Sequence, residues 1–326
     1  MTSPESPCRN EPFLRGTPRL TIWFASSFVA VMLVSLPASG RDLYVDNLLG
    51  DDRMDGTASQ PKGDRIGPTR SINRALQYVK QGDTLHIENR GVPYFESITL
   101  EGRRHSGWEK MPFRILSNGA VLSGARRVPP VAWIPVGSGV WKFTPDGKGY
   151  FLLLKGGRPV PEFGPLTAVD GVEPLPVGQW GALRGSIYLR LNEALAESPA
   201  DSDYEFAYDS TGITLVDVHD VRVEGLIVRN FRIDGVHAHD RVQRVYLDRI
   251  RVEQNGRSGL AVSGTSEVGL SSAELAGNRG AAITLREHGW LETLSVTIDA
   301  GEAEPYDQGA GTTLFVDGEE LPTGGE

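Results

Sequence analysis

Two histidines one residue apart, His237 and His239, are followed at once by Asp240, and Arg286-Glu287 carries related groups further along the chain. Imidazole and carboxylate move protons near neutral pH, and an arginine beside them neutralises an anionic substrate. Abstraction of the proton next to a uronate carboxylate needs such a base together with a cation. Glycosidic hydrolysis needs two carboxyl groups at a set separation. Whether these five groups act together depends on what brings residue 237 to residue 287.

A repeat supplies that. Gly212-Ile213-Thr214-Leu215, Gly235-Val236-His237-Ala238, Gly259-Leu260-Ala261-Val262 and Ala282-Ile283-Thr284-Leu285 follow one another at spacings of 23, 24 and 23 residues. Val221-x-Val223, Val245-x-Leu247 and Val268-x-Leu270 keep step with them, and polar turns containing Asn255 and Asn278 lie between. The period inside each unit is two, which means strands. One such unit cannot bury its apolar face alone, whereas stacked units can. The expected fold is all-β, a parallel β-helix with one repeat per coil. Stacking sets Thr214, His237, Ala261 and Thr284 in one outward ladder. Val216, His239, Ser263 and Arg286 form a second, and Asp217, Asp240, Gly264 and Glu287 a third. Asp240 and Glu287 then stand two rungs apart, about 9–10 Å between backbones, near the separation of an inverting glycosidase. Glu224 and Asp248, one rung apart, come closer to the retaining geometry. His237 and His239 could share a metal ion, although no third ligand lies nearby in sequence. Against all of these stands a plainer reading, in which the charges only solvate an outer face.

Composition narrows the function. Of 326 residues 39 are Gly and 21 Pro, which suits a turn-rich chain, and the net charge of −9 argues against a nucleic-acid partner. The last lysine is Lys155, so a base in the coils has to be histidine or arginine. Arg9, Arg15 and Arg19 precede an uncharged run whose apolar heart is Ile22–Leu36, ending Leu36-Pro37-Ala38-Ser39-Gly40. Residues 1–40 thus read as a signal peptide cleaved after Gly40, or else as an anchor reaching the membrane only through residues 20–36. Either way the folded part is exported: secreted, periplasmic or at the cell surface. Cleavage removes three basic and two acidic residues, taking the net charge from −9 to −10, and also removes the only cysteine, Cys8. Disulfides are then excluded.

Residues 41–125 open with Gly50-Asp51-Asp52-Arg53-Met54-Asp55-Gly56, where acids and glycines suit tight turns better than an EF-hand. Calcium is the one cofactor left open. Ile72, Ala75, Leu76 and Val79 follow a helical stripe over about 69–80, placed to cover the first coil. The run Tyr44-Val45-Asp46, Gly50-Asp51-Asp52, Asp55-Gly56-Thr57, Ser71-Ile72-x-x-Ala75-Leu76, Gly82-Asp83-Thr84-Leu85 and Tyr94-x-Glu96 resembles secreted bacterial right-handed parallel β-helix proteins of the pectate-lyase-like superfamily. The resemblance covers roughly 41–125 and 205–318. It implies a right-handed coil and a polysaccharide or cell-surface glycan as partner. Lyase, hydrolase and epimerase chemistry, or none at all, remain open. Val228-Arg229-Asn230-Phe231, Asp234-Gly235-Val236 and Arg244-Val245-Tyr246-Leu247-Asp248-Arg249 are distant echoes of pectate-lyase motifs, with Arg249 in place of a histidine. They make Arg229 and Asp248 substrate-binding candidates.

Residues 126–205 break the repeat with Trp133, Trp141, Trp180 and ten prolines, and read as an inserted antiparallel β module. Its tryptophans, Trp180 first, could stack on sugars or simply form the module's own core. Coils resume over 206–326 with no closing helix, and four or five of them are few for a substrate cleft. Two functions of different class follow: lyase or glycoside hydrolase action on extracellular polysaccharide, or a non-catalytic carbohydrate-binding or surface scaffold.

Overall fold

The structure is a computed structural model and describes residues 40–168 and 171–322. The stretch expected to direct export lies outside the described residues, of which Gly40 is the first. Among those residues no helix is long and apolar enough to cross a membrane.

The coils build three sheets, parallel except where Glu319–Leu321 turns back on Thr313–Val316, and each full turn of the chain gives one strand to each. The six-stranded sheet holds Thr211–Val216, Asp234–His239, Leu260–Val262, Ile283–Leu285 and Tyr306–Gln308, preceded by Ile98–Glu101. The chain next enters the nine-stranded sheet through His219–Glu224, Gln243–Asp248, Glu267–Ser271, Trp290–Leu294 and Thr313–Val316. It then passes to a five-stranded parallel sheet through Ile227–Arg229, Arg251–Glu253, Glu274–Ala276 and Thr297–Asp299. Ile115, Val223, Leu247 and Leu270 pair rung to rung as one internal column, and none is more than 2% exposed. A fully buried aliphatic side chain contributes about 1.5–3 kcal/mol, so the stack of such columns holds the coils together.

Turn chemistry follows the same columns. Asn255 Oδ1 accepts from Phe231 N at 3.0 Å, and Asn278 Oδ1 from Asn255 N at 3.1 Å, so buried backbone amides find partners one rung away. Asn230 falls in the neighbouring column with Gln254 and Gly277, all at positive φ (62°, 56° and 60°). The repeated glycine that opens each unit has a packing reason: a Cβ on Gly235 would lie 2.2 Å from Val252 Cγ1.

At the N-terminal end the helix is Ile72–Tyr78, its apolar stripe buried in the coil core beside the edge strand Asp42–Val45. Glu96 caps it, accepting from Ile72 N (2.9 Å) and Asn73 N (3.0 Å), while Ser71 accepts from Arg74 N. Acids of the opening loops do similar work. Asp46 accepts from Leu48 N and Leu49 N, Asp51 from Arg53 N, Asp52 from Arg70 N and Ser71 N, and Asp55 from Thr57 N.

Between the coils, two small sheets bury an aromatic cluster that includes Trp133, Phe143, Trp180, Tyr204 and Phe206. Their pairings are antiparallel with one departure: Glu162–Pro165 runs parallel to Trp180–Leu183. The long connection over 166–179 permits this, since a parallel neighbour needs more chain than a hairpin.

Candidate active site

Where the insertion leaves and rejoins the coils, its loop over 148–151 is pinned by one residue from each of three successive rungs. Arg232 donates to the Lys148 carbonyl (2.8 Å), and Arg279 donates to the Phe151 carbonyl. Gly256 lies between them, where a Cβ would stand 2.6 Å from the Tyr150 carbonyl. Tyr150 is thereby held against the outer face of the six-stranded sheet.

On that face the strand Asp234–His239 sends Val236 and Ala238 into the core and His237 and His239 outward. His237 pairs in register with Thr214 and Ala261, and Ala261 with Thr284. Its Nε2 lies 3.3 Å from Ser263 Oγ, its Nδ1 lies 3.8 Å from Asp234 Oδ2, and its ring is 5.1 Å from that of His239. Asp234, only 1% exposed, receives Arg257 in a two-point pair (Nε at 2.8 Å, terminal nitrogen at 2.5 Å) and the Ser258 amide at 3.3 Å. The Arg257 guanidinium lies 5.9 Å from the Tyr150 ring centroid, and the Asp234 carboxylate raises its pKa. Burial pushes the His237 imidazole below its ordinary pKa. Asp234 opposes that shift, while the His239 and Arg257 charges reinforce it. His237 is therefore neutral at pH 7, the form that accepts a proton.

These groups border a cleft of about 510 Å³ lined by Tyr150, His237, Arg257, Ser263, Thr284, Arg286, Glu287 and Asp307, among others. A second hollow of about 470 Å³ shares Tyr150 and Arg257 and continues under the insertion to Glu162, Trp180 and Arg279. There Arg279 pairs with Glu162 at 2.5 Å. Burial nevertheless raises the Glu162 carboxyl against that pull.

Of the five residues expected to act together, His237, Arg286 and Glu287 line the cleft; His239 and Asp240 do not. Asp240 and Glu287 fall in a corner column where the chain turns between sheets, with φ of 67° and 60° beside Asp217 (52°) and Gly264 (70°). Asp240 is 67% exposed, with its carboxylate 3.4 Å from His239, while Glu287 folds back to accept from Gly264 N at 2.7 Å. Of the two expected hydrolytic carboxylates, which do share one column, only Glu287 borders the cleft. Arg286 is paired with Asp307. The alternative pair, Glu224 and Asp248, belongs to the nine-stranded sheet, where Arg249 bridges both. Asp248 also accepts from Ser271 Oγ at 2.8 Å and lies away from the cleft lining. Arg229 lies in the five-stranded parallel sheet, paired with Glu253 at 3.4 Å, away from the cleft lining. Trp180 offers no free face for a sugar. It is 1% exposed, its indole N–H donates to the Val160 carbonyl (3.0 Å), and Arg279 lies over its ring. Among the described residues no group of three or more His, Cys, Asp or Glu is placed to hold a metal ion.

The ladders singled out neither the cleft residues Arg257, Tyr150 and Asp307 nor Asp234, buried behind Arg257. A signal for one pair was present: Asp234 and Arg257 stand one coil apart, as do Asp217 with Arg241 and Asp220 with Arg244. Tyr150 lies in a non-repeating loop and carried no such signal.

No family model and no curated protein sequence matches the chain. Solved structures do. The complex of XylC with xylose superposes with a TM-score of 0.60 at 12% identity, over 84% of this chain and 57% of that one. A glycoside hydrolase does so with a TM-score of 0.53 at 12% identity, over 81% of this chain and 74% of that one. This chain thus spans just over half the length of the first of these structures.

Proposed function

We propose that this is an exported right-handed β-helix protein acting on an extracellular uronate-containing polysaccharide by β-elimination, with His237 as the base. Residues 1–40 direct export, the helix in 41–125 caps the coil, the insertion over 126–205 walls the cleft, and 206–326 carries its floor. The observation that carries the reading is His237 itself, a neutral imidazole in a cleft whose cations are Arg257 and Arg286. In such a step His237 takes the proton from the carbon next to the substrate carboxylate. The electron pair forms a carbon–carbon double bond, and the bond to the departing sugar oxygen breaks as that oxygen takes a proton from water. Each guanidinium has five N–H donors and so keeps some beyond its acidic partner for the substrate carboxylate. Two fold neighbours, one holding xylose and one a glycoside hydrolase, support a carbohydrate ligand in general.

The test is turnover of polygalacturonate, alginate and neutral xylan by the mature chain, following unsaturated product by ultraviolet absorbance and reducing ends in parallel. The expected result is unsaturated product from an acidic polymer, with kcat lowered about 10²–10⁴-fold in His237→Ala. Because His237 works unprotonated from a lowered pKa, activity should persist below pH 6.5 and fall only on further acidification. Reducing ends without unsaturation would replace elimination by hydrolysis. Binding without turnover would favour the scaffold, a reading that the acid partners of Arg257, Arg279 and Arg286 support.

A further inference from the structure

The outward face of the nine-stranded sheet carries a column unlike the rest of the coils. Arg114, Arg222, Tyr246, Gly269 and Glu292 follow one another in register, one rung of about 4.8 Å at a time. Of the ten arginines in the coils after the insertion, eight are ion-paired and Arg232 donates to the Lys148 carbonyl. Among the described residues Arg222 has no acid partner. Its guanidinium faces the Tyr246 ring at 5.1 Å. Arg114, the exposed residue opposite it, has none either. Like charges directly across a ladder cost stability, and among the described residues no ion pair relieves this one. Of the outward acids on flanking positions, Glu224 and Asp248 are engaged by Arg249 and Asp220 by Arg244, while the exposed Glu267 and Glu292 stand one and two rungs beyond Tyr246, away from Arg222 and Arg114.

Beside the two cations Tyr246 lies low on the sheet. A Cβ on Gly269 would stand 2.8 Å from Tyr246 Cδ1, so the glycine is what lets the ring rest there, 44% exposed. A flat aromatic next to unpaired guanidiniums matches the two faces of an acidic sugar, an apolar ring face and a carboxylate.

We propose that this column is a second glycan site, separate from the cleft, on which an anionic polysaccharide strand lies with a sugar on Tyr246 and its carboxylates against Arg222 and Arg114. The choice of a glycan over other polyanions rests on the function proposed above, and the test separates the two. Mature full-length chain would be run by affinity electrophoresis in gels containing polygalacturonate, fully methyl-esterified polygalacturonate or no polymer. Retention should appear with the acidic polymer, fade with added salt, and be absent with the neutral ester. Arg222→Ala and Tyr246→Ala should each weaken retention about tenfold. Gly269→Ala, which removes no binding group but lifts the ring, should do the same. Any turnover of a short oligogalacturonate in the cleft should stay at the wild-type level in all three, and this retention test stands even if the chain has no turnover. Unchanged retention in Arg222→Ala and Gly269→Ala, with both folded by circular dichroism, overturns the proposal. So does binding to DNA or anionic lipid vesicles without binding to polygalacturonate.

Discussion

In the coils, Val223, Leu247 and Leu270 touch because each occupies the same place in successive turns. In the insertion, Phe143 meets Phe206 edge to face at 4.9 Å and Trp133 at 5.6 Å, residues with no common spacing in sequence. Both regions exclude water from large apolar side chains, yet a coil residue has neighbours on two rungs and an insertion residue has a local cluster. Damage should therefore spread differently. In the coils it passes along a column to the rungs on either side, as expected where stability is a sum over nearest neighbours. In the insertion it stays within the cluster. The candidate active site lies where the two regimes meet, with His237 and Asp234 from a column and Tyr150 from a loop.

The largest effect is expected from the insertion core. Phe143→Ala removes a 5% exposed ring from between Trp133 and Phe206 and should cost about 4 kcal/mol. Hydrogen exchange should quicken across the insertion strands while Val223 and Leu247 keep their protection. Loss of protection in the coils as well would abolish the distinction drawn here.

Leu247→Ala comes next, at about 3 kcal/mol by urea unfolding, since the side chain is fully buried. Its signature is spread: amides of His219–Glu224 and Glu267–Ser271 should exchange faster along with those of Gln243–Asp248. A change confined to one strand would count against column coupling.

The same contrast decides what could be read from the amino acids. The coil core was legible because a period of 23 or 24 residues names every rung neighbour, and alternation within each strand names the inward side. His237 facing out between Val236 and Ala238 follows from that alone. What the period does not convey is how an outward side chain spends its hydrogen bonds. Asp240 and Glu287 share a ladder, as their spacing says, but the ladder is a corner, and one carboxylate caps an amide there while the other faces solvent. Trp180 could be read as a sugar platform or as module core, because aromatic content can be counted and burial cannot. Tyr150 was illegible for the converse reason: its position depends on Arg232, Gly256 and Arg279, which are periodic, gripping a loop that is not.

At the junction the expected effect is smaller. Asp234→Asn removes the charge that Arg257 faces, and loss of one partner of a fully buried pair costs about 3–5 kcal/mol. Arg257 is 37% exposed and water recovers part of that, so the expected cost is about 2 kcal/mol. The more telling readout is position. With Arg257 released, Tyr150 should lose its neighbour, and tryptic cleavage near Lys148 should accelerate while the coil core stays protected. An unchanged cleavage rate would mean that Arg232 and Arg279 hold the loop by themselves.

The smallest effect sits far from the cleft and tests whether the helix belongs to the coil regime. His105 is buried, with Nδ1 accepting from Glu101 N at 3.0 Å and Nε2 facing the Leu76 carbonyl at 3.1 Å. An amide must donate and a carbonyl must accept, so the ring is neutral with its proton on Nε2. Burial lowers its pKa below 6.5; the Leu76 carbonyl opposes that shift and the Arg104 charge adds to it. The folded chain thus binds fewer protons here than the unfolded one in the window from the folded pKa up to 6.5. Stability from this group is complete above 6.5 and is lost as pH falls through that window. Protonation would turn Nδ1–H against Glu101 N–H and loosen the Leu76 end of the helix from the strand Ile98–Glu101. His105→Gln can accept and donate in the same two places without titrating. The urea midpoint of the wild-type chain should fall more between pH 7.5 and pH 5 than that of His105→Gln, with the difference appearing as faster exchange in Ile72–Tyr78. His237, which also titrates below its ordinary pKa, contributes equally to both chains and cancels. Equal pH slopes in the two would show that the helix rides on the coil without being coupled to it through His105.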